Sequence, residues 1–431
     1  MQSARAPHLA DDRPGPRMNP APSPTADIVI VGAGILGCSI AWHLARRRPG
    51  TRIVVIDRQQ AVATQASAQA AGLLTRARKH PAVMALVART YAAVAELTEE
   101  LDQPPPIRRN GTLSVASSEA AVLALDALAG VAGAAGILVE RPDPYHLPDL
   151  VPWLDPARVR SCAFVADDAF ADPYLLADAY ARAARRRGAR FCFGVEAVEI
   201  RAKAGRVGGV VTTAGILHAP VVVLAAGAWA NRLTLPLGVG LPMAAVRSHY
   251  WLTEPHDLFA AGHPTVVMPD ARAYARPELG ALLFGLREGD GISVGLEDLP
   301  TDMSGFIFKQ DPYGWETLEA GAPALRDYCP AVDDVGIRGY VAGVSTYTPD
   351  GLFLAGAAAG IAGLYVAGGC CGAGVAASGG LGELLAAIAL GEALDEVDLA
   401  PFSLDRFGPV DPLSSAFRAR CVAARSRKAV G

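Results

Sequence analysis

The sequence DIVIVGAGILGCSIAWHLARR, residues 27–47, decides the fold. It opens with a short apolar run rich in β-branched residues, which is typical of a buried parallel strand. Gly32, Gly34 and Gly37 follow at once, and the apolar stretch after them predicts a helix. With a second buried strand predicted at 52–56, the region is a β-α-β unit about 30 residues long.

The three glycines stand where a dinucleotide-binding turn needs them. Gly32 permits the tight turn, Gly34 lets a pyrophosphate approach the backbone, and Gly37 lets helix and strand pack closely. Free N–H groups at the start of the helix then hold the phosphates. Asp57, at the end of the second strand, is placed to accept hydrogen bonds from ribose hydroxyls. The predicted nucleotide site also includes Ile35, Leu36 and Arg58, and the turn alone does not separate FAD from NAD.

Composition excludes several other classes of protein. Hydrophobic residues make up 51% of the chain, enough for a core, and 39 basic against 43 acidic residues give no nucleic-acid signature. The first 25 residues lack the apolar run of a secretory signal, and no stretch reaches the roughly 18 apolar residues of a membrane-spanning helix. The seven cysteines are scattered, without metal-ligand spacing. We therefore expect reduced thiols, no metal site and a cytoplasmic location.

Further pieces of a nucleotide fold recur along the chain. Apolar strands are predicted at 221–224 and 363–366, and a glycine-rich turn after the second leads into a helix predicted at 375–390. The pattern predicts an α/β fold with an inserted α+β substrate part. The expected boundaries are a disordered tail at 1–25, a discontinuous nucleotide-binding domain at 26–80, 150–240 and 330–400, a substrate domain at 81–149 and 241–329, and a C-terminal tail at 401–431.

Six segments together give the chain a family resemblance. It resembles the D-amino-acid oxidase superfamily, in the branch that holds glycine oxidase, sarcosine oxidase and dimethylglycine dehydrogenase. The resemblance implies FAD, an FAD-binding Rossmann-like domain interleaved with a substrate domain on a mixed β-sheet, and oxidation of an amine to an imine. The segments that carry it are 29–37, 66–73, 222–229, 274–278, 348–351 and 363–374.

The same resemblance implies which residues surround the cofactor. One group is expected beside the pyrophosphate and the flavin ring, Val195 beside the adenine, and a third group around the isoalloxazine. A helix start at the last glycines would stabilise negative charge on the reduced ring. The expected residues are Ala66, Ser67, Gly72, Leu73, Val195, Ala226, Gly227, Trp229, Gly343, Asp350, Gly351, Gly369, Cys371, Gly372, Ala373, Gly374 and Val375.

Departures from the family pattern are informative. Gln69 stands where dimethylglycine dehydrogenases carry the histidine that bonds the flavin, and Gly343 where monomeric sarcosine oxidases carry a linking cysteine. The resemblance therefore implies non-covalent FAD. Ser345 replaces the arginine that binds the substrate carboxylate in glycine oxidases, and Leu283 replaces the lysine that activates oxygen in monomeric sarcosine oxidases.

Candidates for substrate contact come from two predicted strands and the ring-side segment. His249 could tune the protonation of an amine, or it is a histidine satisfied within a polar sheet. Tyr274 and Arg276 alternate on one strand, and Arg276 could bind a carboxylate or form a structural ion pair. Tyr347 could close the pocket or serve only in packing. Cys370 and Cys371 are interpreted as small packing residues.

The predicted function is FAD-dependent oxidation of a secondary or tertiary amine, such as an N-methyl or cyclic amino acid. Its partners are a small amine substrate and O2 or another electron acceptor, with no nucleic acid, and the oligomeric state stays open. Oxidation of a D-amino acid or a 2-hydroxy acid is the alternative within enzymes. The alternative outside enzymes is an FAD-bearing subunit or assembly factor.

Overall fold

The computed structural model describes residues 24–392 and 397–428. Most of the predicted tail at 1–25 lies outside these residues, and Thr25 forms a parallel bridge with His218. The α-helices of the described residues are α1 (Ile35–Arg47), α2 (Pro81–Glu100), α3 (Glu119–Ala134), α4 (Leu147–Leu150), α5 (Pro173–Arg186), α6 (Ala230–Thr234), α7 (Trp315–Tyr328), α8 (Ser378–Leu390) and α9 (Ser415–Arg427).

The strands fall into four sheets. They are β1 (Ile28–Val31), β2 (Ile53–Asp57), β3 (Leu73–Leu74), β4 (Ile107–Arg108), β5 (Thr112–Ala116), β6 (Ser161–Val165), β7 (Ala169–Ala171), β8 (Arg190–Phe193), β9 (Ala197–Lys203), β10 (Arg206–Thr212), β11 (Gly215–His218), β12 (Val221–Leu224), β13 (Ala244–Thr253), β14 (Thr265–Met268), β15 (Ala273–Glu278), β16 (Ala281–Leu286), β17 (Ser293–Val294), β18 (Ile337–Tyr347), β19 (Leu354–Ala357) and β20 (Leu364–Gly368).

A six-stranded sheet carries the opening motif at its centre. Its order is β19-β20-β12-β1-β2-β8, and the strands are parallel except for the edge strand β19. Ile28 and Ile30 face a core formed with α1, α2, α5 and α8, whereas Val29 and Val31 face a core shared with β9, β10 and β11. Because both faces of β1 are buried, its sequence is an unbroken apolar run.

An eight-stranded mixed sheet forms the second layer. It runs β17-β13-β16-β15-β14-β5-β6, with β18 paired along the full length of β13. The pair β14–β5 is parallel and the other pairs are antiparallel. The α/β class and the mixed sheet are therefore confirmed.

Three elements lie in a different layer from the one that the predicted domain boundaries gave them. Helix α2 packs on α1 and α8 in the core of the six-stranded sheet, and β6 and β18 belong to the eight-stranded sheet. The helix predicted at 375–390 begins three residues later, at Ser378, after a turn over residues 374–377.

The predicted C-terminal tail contains a packed helix. Ser414 caps α9 by accepting a hydrogen bond from the Phe417 N–H, and Phe417 and Cys421 are buried against Val246 of β13. The helix was missed because it is rich in arginine and only weakly amphipathic, so apolar periodicity gave no signal.

Neither a membrane-spanning helix nor a metal-binding cluster occurs among the described residues. No helix within 24–392 and 397–428 is long and apolar enough to cross a bilayer. The same residues hold no group of three or more His, Cys, Asp or Glu side chains arranged to bind a metal ion. All seven cysteines are free thiols.

Candidate active site

In the turn between β1 and α1, some glycines are required by packing within the protein and others are not. Gly32 has φ of +104°, and a Cβ atom there would lie 2.5 Å from the carbonyl oxygen of Ala225. A Cβ atom on Gly37 would overlap the carbonyl oxygen of Gly32. At Gly34 the nearest atom to such a Cβ is the Ser67 hydroxyl oxygen, 3.4 Å away. Protein packing therefore explains Gly32 and Gly37, whereas a bare backbone at Gly34 suits a ligand that approaches it closely.

Asp57 holds this turn in shape. One carboxylate oxygen accepts a hydrogen bond from the Ala33 N–H at 2.6 Å, and the other accepts from the Gln59 N–H at 2.8 Å. Burial raises the pKa of the Asp57 carboxyl from its ordinary value, and the two N–H donors act against that shift. Asp57, which we predict to bind the ribose, thus also fixes the loop that would hold the phosphates.

A cavity of about 420 Å³, here called the nucleotide groove, runs along this turn and on between the start of β9 and α6. Arg58 stacks over the indole of Trp229, 4.5 Å from the ring centroid, and pairs with Glu196 at 3.6 Å. The predicted residues that line the groove are Gly32, Gly34, Ile35, Leu36, Asp57, Arg58, Ala66, Ser67, Val195, Ala226, Gly227 and Trp229.

A second cavity, of about 170 Å³, adjoins the groove. The two share six wall residues: Ile35, Ala66, Ser67, Val344, Ser345 and Cys370. The predicted residues that line the second cavity are Gly72, Leu73, His249, Tyr274, Gly343, Tyr347, Gly372, Ala373, Gly374 and Val375. A bound nucleotide with a redox-active ring can therefore end at the boundary of a small chamber.

Five predicted cofactor residues lie outside both cavity linings. Gly37 is in the α1 packing contact described above. Asp350 accepts hydrogen bonds from Thr348, from the Leu352 N–H and from Arg406, so its role is to hold a turn. The remaining three are Gly351, Gly369 and Cys371.

Arg276 also lies outside the lining of the second cavity. Its Nε donates to the carbonyl of Ala71 at 2.8 Å, it pairs with Glu278, and it stacks over Phe170 at 4.6 Å. These contacts match the structural ion pair that the sequence analysis left open. The structure does not bring this guanidinium together with the other candidates.

His249 lines the second cavity, but both ring nitrogens are engaged. Nδ1 lies 3.0 Å from the Tyr340 hydroxyl, and Nε2 lies 3.1 Å from the carbonyl oxygen of Leu286 and 3.4 Å from Glu288. Burial lowers the pKa of His249, and the charge of Glu288 offsets this only in part. The imidazole is therefore neutral near pH 7 and belongs to a polar network in the wall.

Two tyrosines of the predicted set border the second cavity. Burial raises the pKa of Tyr274 to about 12, so its hydroxyl is protonated at neutral pH. Tyr347 is buried, and its hydroxyl lies 2.7 Å from where a Cβ atom on Gly372 would stand. Any side chain at position 372 would strike this hydroxyl, so the ring-side turn is shaped around Tyr347.

The second cavity is lined by three arginines that the sequence analysis did not select: Arg78, Arg287 and Arg425, of which Arg425 pairs with Glu288 at 2.7 Å. Arg78 is buried, and its Nε donates to the carbonyl of Thr75 at 3.0 Å. Arg287 donates from Nη1 to the carbonyl of Lys428 at 2.9 Å. No Asp or Glu side chain of the described residues lines this cavity. Only the tertiary fold brings these arginines together, so no spacing rule could have found them.

Gln69 lies in the wall of the second cavity against β18. Its side-chain amide packs so closely on Gly343 that a Cβ atom at 343 would overlap it, and Gln69 Oε1 is buried without a hydrogen-bond partner. Cys370 is buried, which raises the pKa of its thiol to about 12, and burial also raises the pKa of Cys371. The thiols beside the cavity are thus protonated and unreactive.

Comparison with known proteins identifies the family to which the chain belongs. A family profile described as FAD dependent oxidoreductase (DAO) matches residues 27–388. The chain belongs to this family. The groove fits the cofactor: Gly34 leaves the backbone open to a pyrophosphate, the Asp57 carboxylate faces the groove, and the walls near the second cavity are apolar.

Named relatives span a wider range of activities. Sarcosine dehydrogenase of Homo sapiens is 29% identical over 85% of this chain and 40% of its own length. The pyruvate dehydrogenase phosphatase regulatory subunit of Mus musculus is 28% identical over 84% of this chain and 41% of its own length. The chain thus spans about two fifths of the length of these curated relatives.

Among solved structures, L-proline dehydrogenase from P. horikoshii superposes with a TM-score of 0.78 at 22% identity. The match covers 89% of this chain and 98% of that one. At this level of identity the likeness shows a shared fold.

The first prediction concerns the attachment of FAD. We expect acid precipitation of the holoprotein to release all of the flavin into the supernatant, because Gln69 and Gly343 have no nucleophile and the adjacent thiols are protonated. The measurement is the flavin absorbance of supernatant and washed pellet. A yellow pellet, or a protein mass raised by that of FAD after denaturation, would contradict it.

Proposed function

We propose that this chain oxidises the amine of an amino-acid-like substrate to an imine, using non-covalent FAD, and that the amine is secondary or tertiary. The observation that carries the proposal is the second cavity: it shares six wall residues with the nucleotide groove, and it is lined by three arginines and no carboxylate. Arg425 is paired with Glu288, whereas Arg78 and Arg287 are not paired with a carboxylate. When bound, FAD supplies the hydride acceptor. The relative named sarcosine dehydrogenase supports an N-methylated substrate.

The chain's own residues would bind and orient such a substrate. Guanidinium groups recognise carboxylates through paired hydrogen bonds, so Arg287 or Arg78 would fix the acid end of an amino acid. Positive charge beside the substrate also lowers the pKa of its ammonium group, which favours the neutral amine that hydride transfer requires. The neutral His249 and the protonated Tyr274 would shape the cavity rather than exchange protons.

The electron acceptor and the cellular location are parts of the same proposal. Leu283 is buried in β16, so this position offers no cation for oxygen activation, and this favours a dehydrogenase over a fast oxidase. The free thiols support a reducing compartment such as the cytoplasm.

The test is an anaerobic absorbance titration of the yellow holoprotein. We expect N-methyl or cyclic amino acids to bleach the flavin band near ~450 nm, and the matching amines without a carboxylate to leave it unchanged. Bleaching only by 2-hydroxy acids or D-amino acids would replace the proposed substrate class. No bleaching by any of these compounds would favour the non-enzymatic alternative, which the similarity to a regulatory subunit also supports.

A further inference from the structure

Four cationic side chains approach the second cavity from distant parts of the chain, and one of them, Arg425, is paired with Glu288 at 2.7 Å. The other three carry the inference. Arg78 follows β3, Arg287 follows β16, and Lys428 follows α9. The arginines line the cavity, and Lys428 Nζ donates to the carbonyl of Cys371 at 2.7 Å. Nζ also lies 3.6 Å from where a Cβ atom on the lining residue Gly372 would stand. The ammonium group therefore lies directly beside the ring-side turn, although Lys428 is not itself one of the residues that line the cavity.

The protein leaves these charges without a close counter-charge. Within the part of the chain that the structure describes, Arg78, Arg287 and Lys428 form no ion pair to a carboxylate within 4.0 Å. Asp168 and Glu288 act on the two arginines only from farther away. Glu288 is already engaged with other cations in the wall.

The electrostatics of the cluster show mutual repulsion. Burial lowers the pKa of Arg78 to about 10, and the charge of Arg287 contributes in the same direction. Burial, together with the charges of Arg287, Arg78 and Arg425, lowers the pKa of Lys428 well below its usual value. Both arginines still carry their charge at neutral pH. A ligand with negative charge would relieve this repulsion, and more so with two charges than with one.

We propose that the second cavity binds an amine that carries two carboxylates, one held by Arg287 and the other by Arg78 together with Lys428. The reaction of that amine rests on the proposed function, whereas the two carboxylates rest on the cation cluster. A single carboxylate would satisfy one guanidinium and leave the other buried cation unpaired. The fitting class is an amino acid with a second acid group, either on its side chain or on its nitrogen as in N-carboxymethyl amino acids.

A binding measurement tests the two carboxylates without catalysis. Succinate and butyrate differ by one carboxylate, and their binding to the holoprotein is followed by the change in the spectrum of the oxidised flavin. We expect succinate to bind with a dissociation constant about tenfold lower or better, since each added charge-assisted hydrogen bond is worth at least that factor. Equal or tighter binding of butyrate would overturn the inference.

Two variants test which residues bind the second carboxylate. In Lys428→Met and in Arg78→Met the advantage of succinate should fall to about twofold or less, while butyrate binding changes little. Lys309→Met is the matched control, since the side chain of Lys309 is 87% exposed, and it should keep the wild-type ratio. A preference for succinate that survives both substitutions would overturn the assigned roles, and the wild-type comparison stands even if one variant does not fold.

A substrate pair separates this inference from the proposed function. Iminodiacetate is sarcosine with a carboxylate added to its methyl group, so the two are compared as anaerobic reductants of the flavin. We expect half-saturation at about tenfold lower iminodiacetate or better. Reduction that favours sarcosine would overturn the two-carboxylate site and keep the proposed function. Succinate binding without reduction by any amine would overturn the proposed function and keep the site.

Discussion

Replacing Gly34 with alanine is expected to give a folded protein that has lost FAD. A methyl group at this position meets no protein atom closer than the Ser67 hydroxyl oxygen at 3.4 Å, so the apoprotein should tolerate it. The same methyl group would occupy the space in which the pyrophosphate approaches the backbone. We expect FAD affinity to fall by about 100-fold or more, which corresponds to about 2.7 kcal/mol. Fluorescence titration of the apoprotein with FAD measures this change.

Two other glycine substitutions serve as comparisons for Gly34→Ala. Gly130→Ala, in α3 with open space around it, should bind FAD like the wild type. Gly37→Ala should fail to fold properly, because its Cβ would overlap the carbonyl oxygen of Gly32. A Gly34→Ala protein that binds FAD normally would mean that the cofactor does not pass over this turn, and the assignment of the groove would be lost.

The nucleotide-binding half of the fold was predictable because its signals are local. Ile28–Val31 is apolar on both faces, the glycines follow within a few residues, and Asp57 ends the next strand. Each of these features is set by neighbours along the chain. The small antiparallel sheet of β9, β10 and β11 is local in the same sense, since short turns at 204–205 and 213–214 join its strands.

The second cavity was harder to predict because its walls come from separate elements. Arg247 and His249 lie on one face of β13, but the sequence could not show that this face meets Glu288 and Tyr340, which satisfy the histidine. Arg276 has the same alternation as Tyr274, yet its guanidinium turns to the Ala71 carbonyl. Periodicity gives the face of a strand, whereas the partner on that face depends on tertiary packing.

The C-terminal helix shows the same limit more strongly. Nothing in its composition separates α9 from a solvated tail, yet Arg425 is buried and pairs with Glu288 at 2.7 Å. Arg272 donates to the carbonyl of Ser426, and Arg287 to that of Lys428. Carbonyl groups at the end of α9 thus accept hydrogen bonds from two arginines that flank strands of the eight-stranded sheet, a role that only tertiary contacts reveal.

Glu288→Gln is the substitution for which we expect the largest loss of stability. The Glu288 carboxylate lies 2.7 Å from Arg425, 3.2 Å from Arg247 and 3.4 Å from His249, and its side chain is only 9% exposed. These neighbours hold the pKa of Glu288 far below its usual range despite burial. Removing the charge leaves the buried Arg425 without a carboxylate partner, which costs about 3–5 kcal/mol, whereas Arg247 keeps its ion pair with Asp311 at 3.1 Å. Urea unfolding of the holoprotein at pH 7 measures the loss.

The stability lost in Glu288→Gln should depend on whether Arg425 is present. A loss caused only by poorer packing would not depend on it. Removing Arg425 together with Glu288 takes away the unpaired charge, so Glu288→Gln/Arg425→Met should lose less stability than the sum of the two single variants. Glu319→Gln, on the exposed face of α7, is the matched control and should stay within about 0.5 kcal/mol of the wild type. If Glu288→Gln costs under 1 kcal/mol, or if the two substitutions are additive, Glu288 does not connect the C-terminal helix to the cavity wall. Because the same helix end holds Arg287 through the Lys428 carbonyl, a large coupling would also explain how a distant terminus keeps the substrate arginine in place.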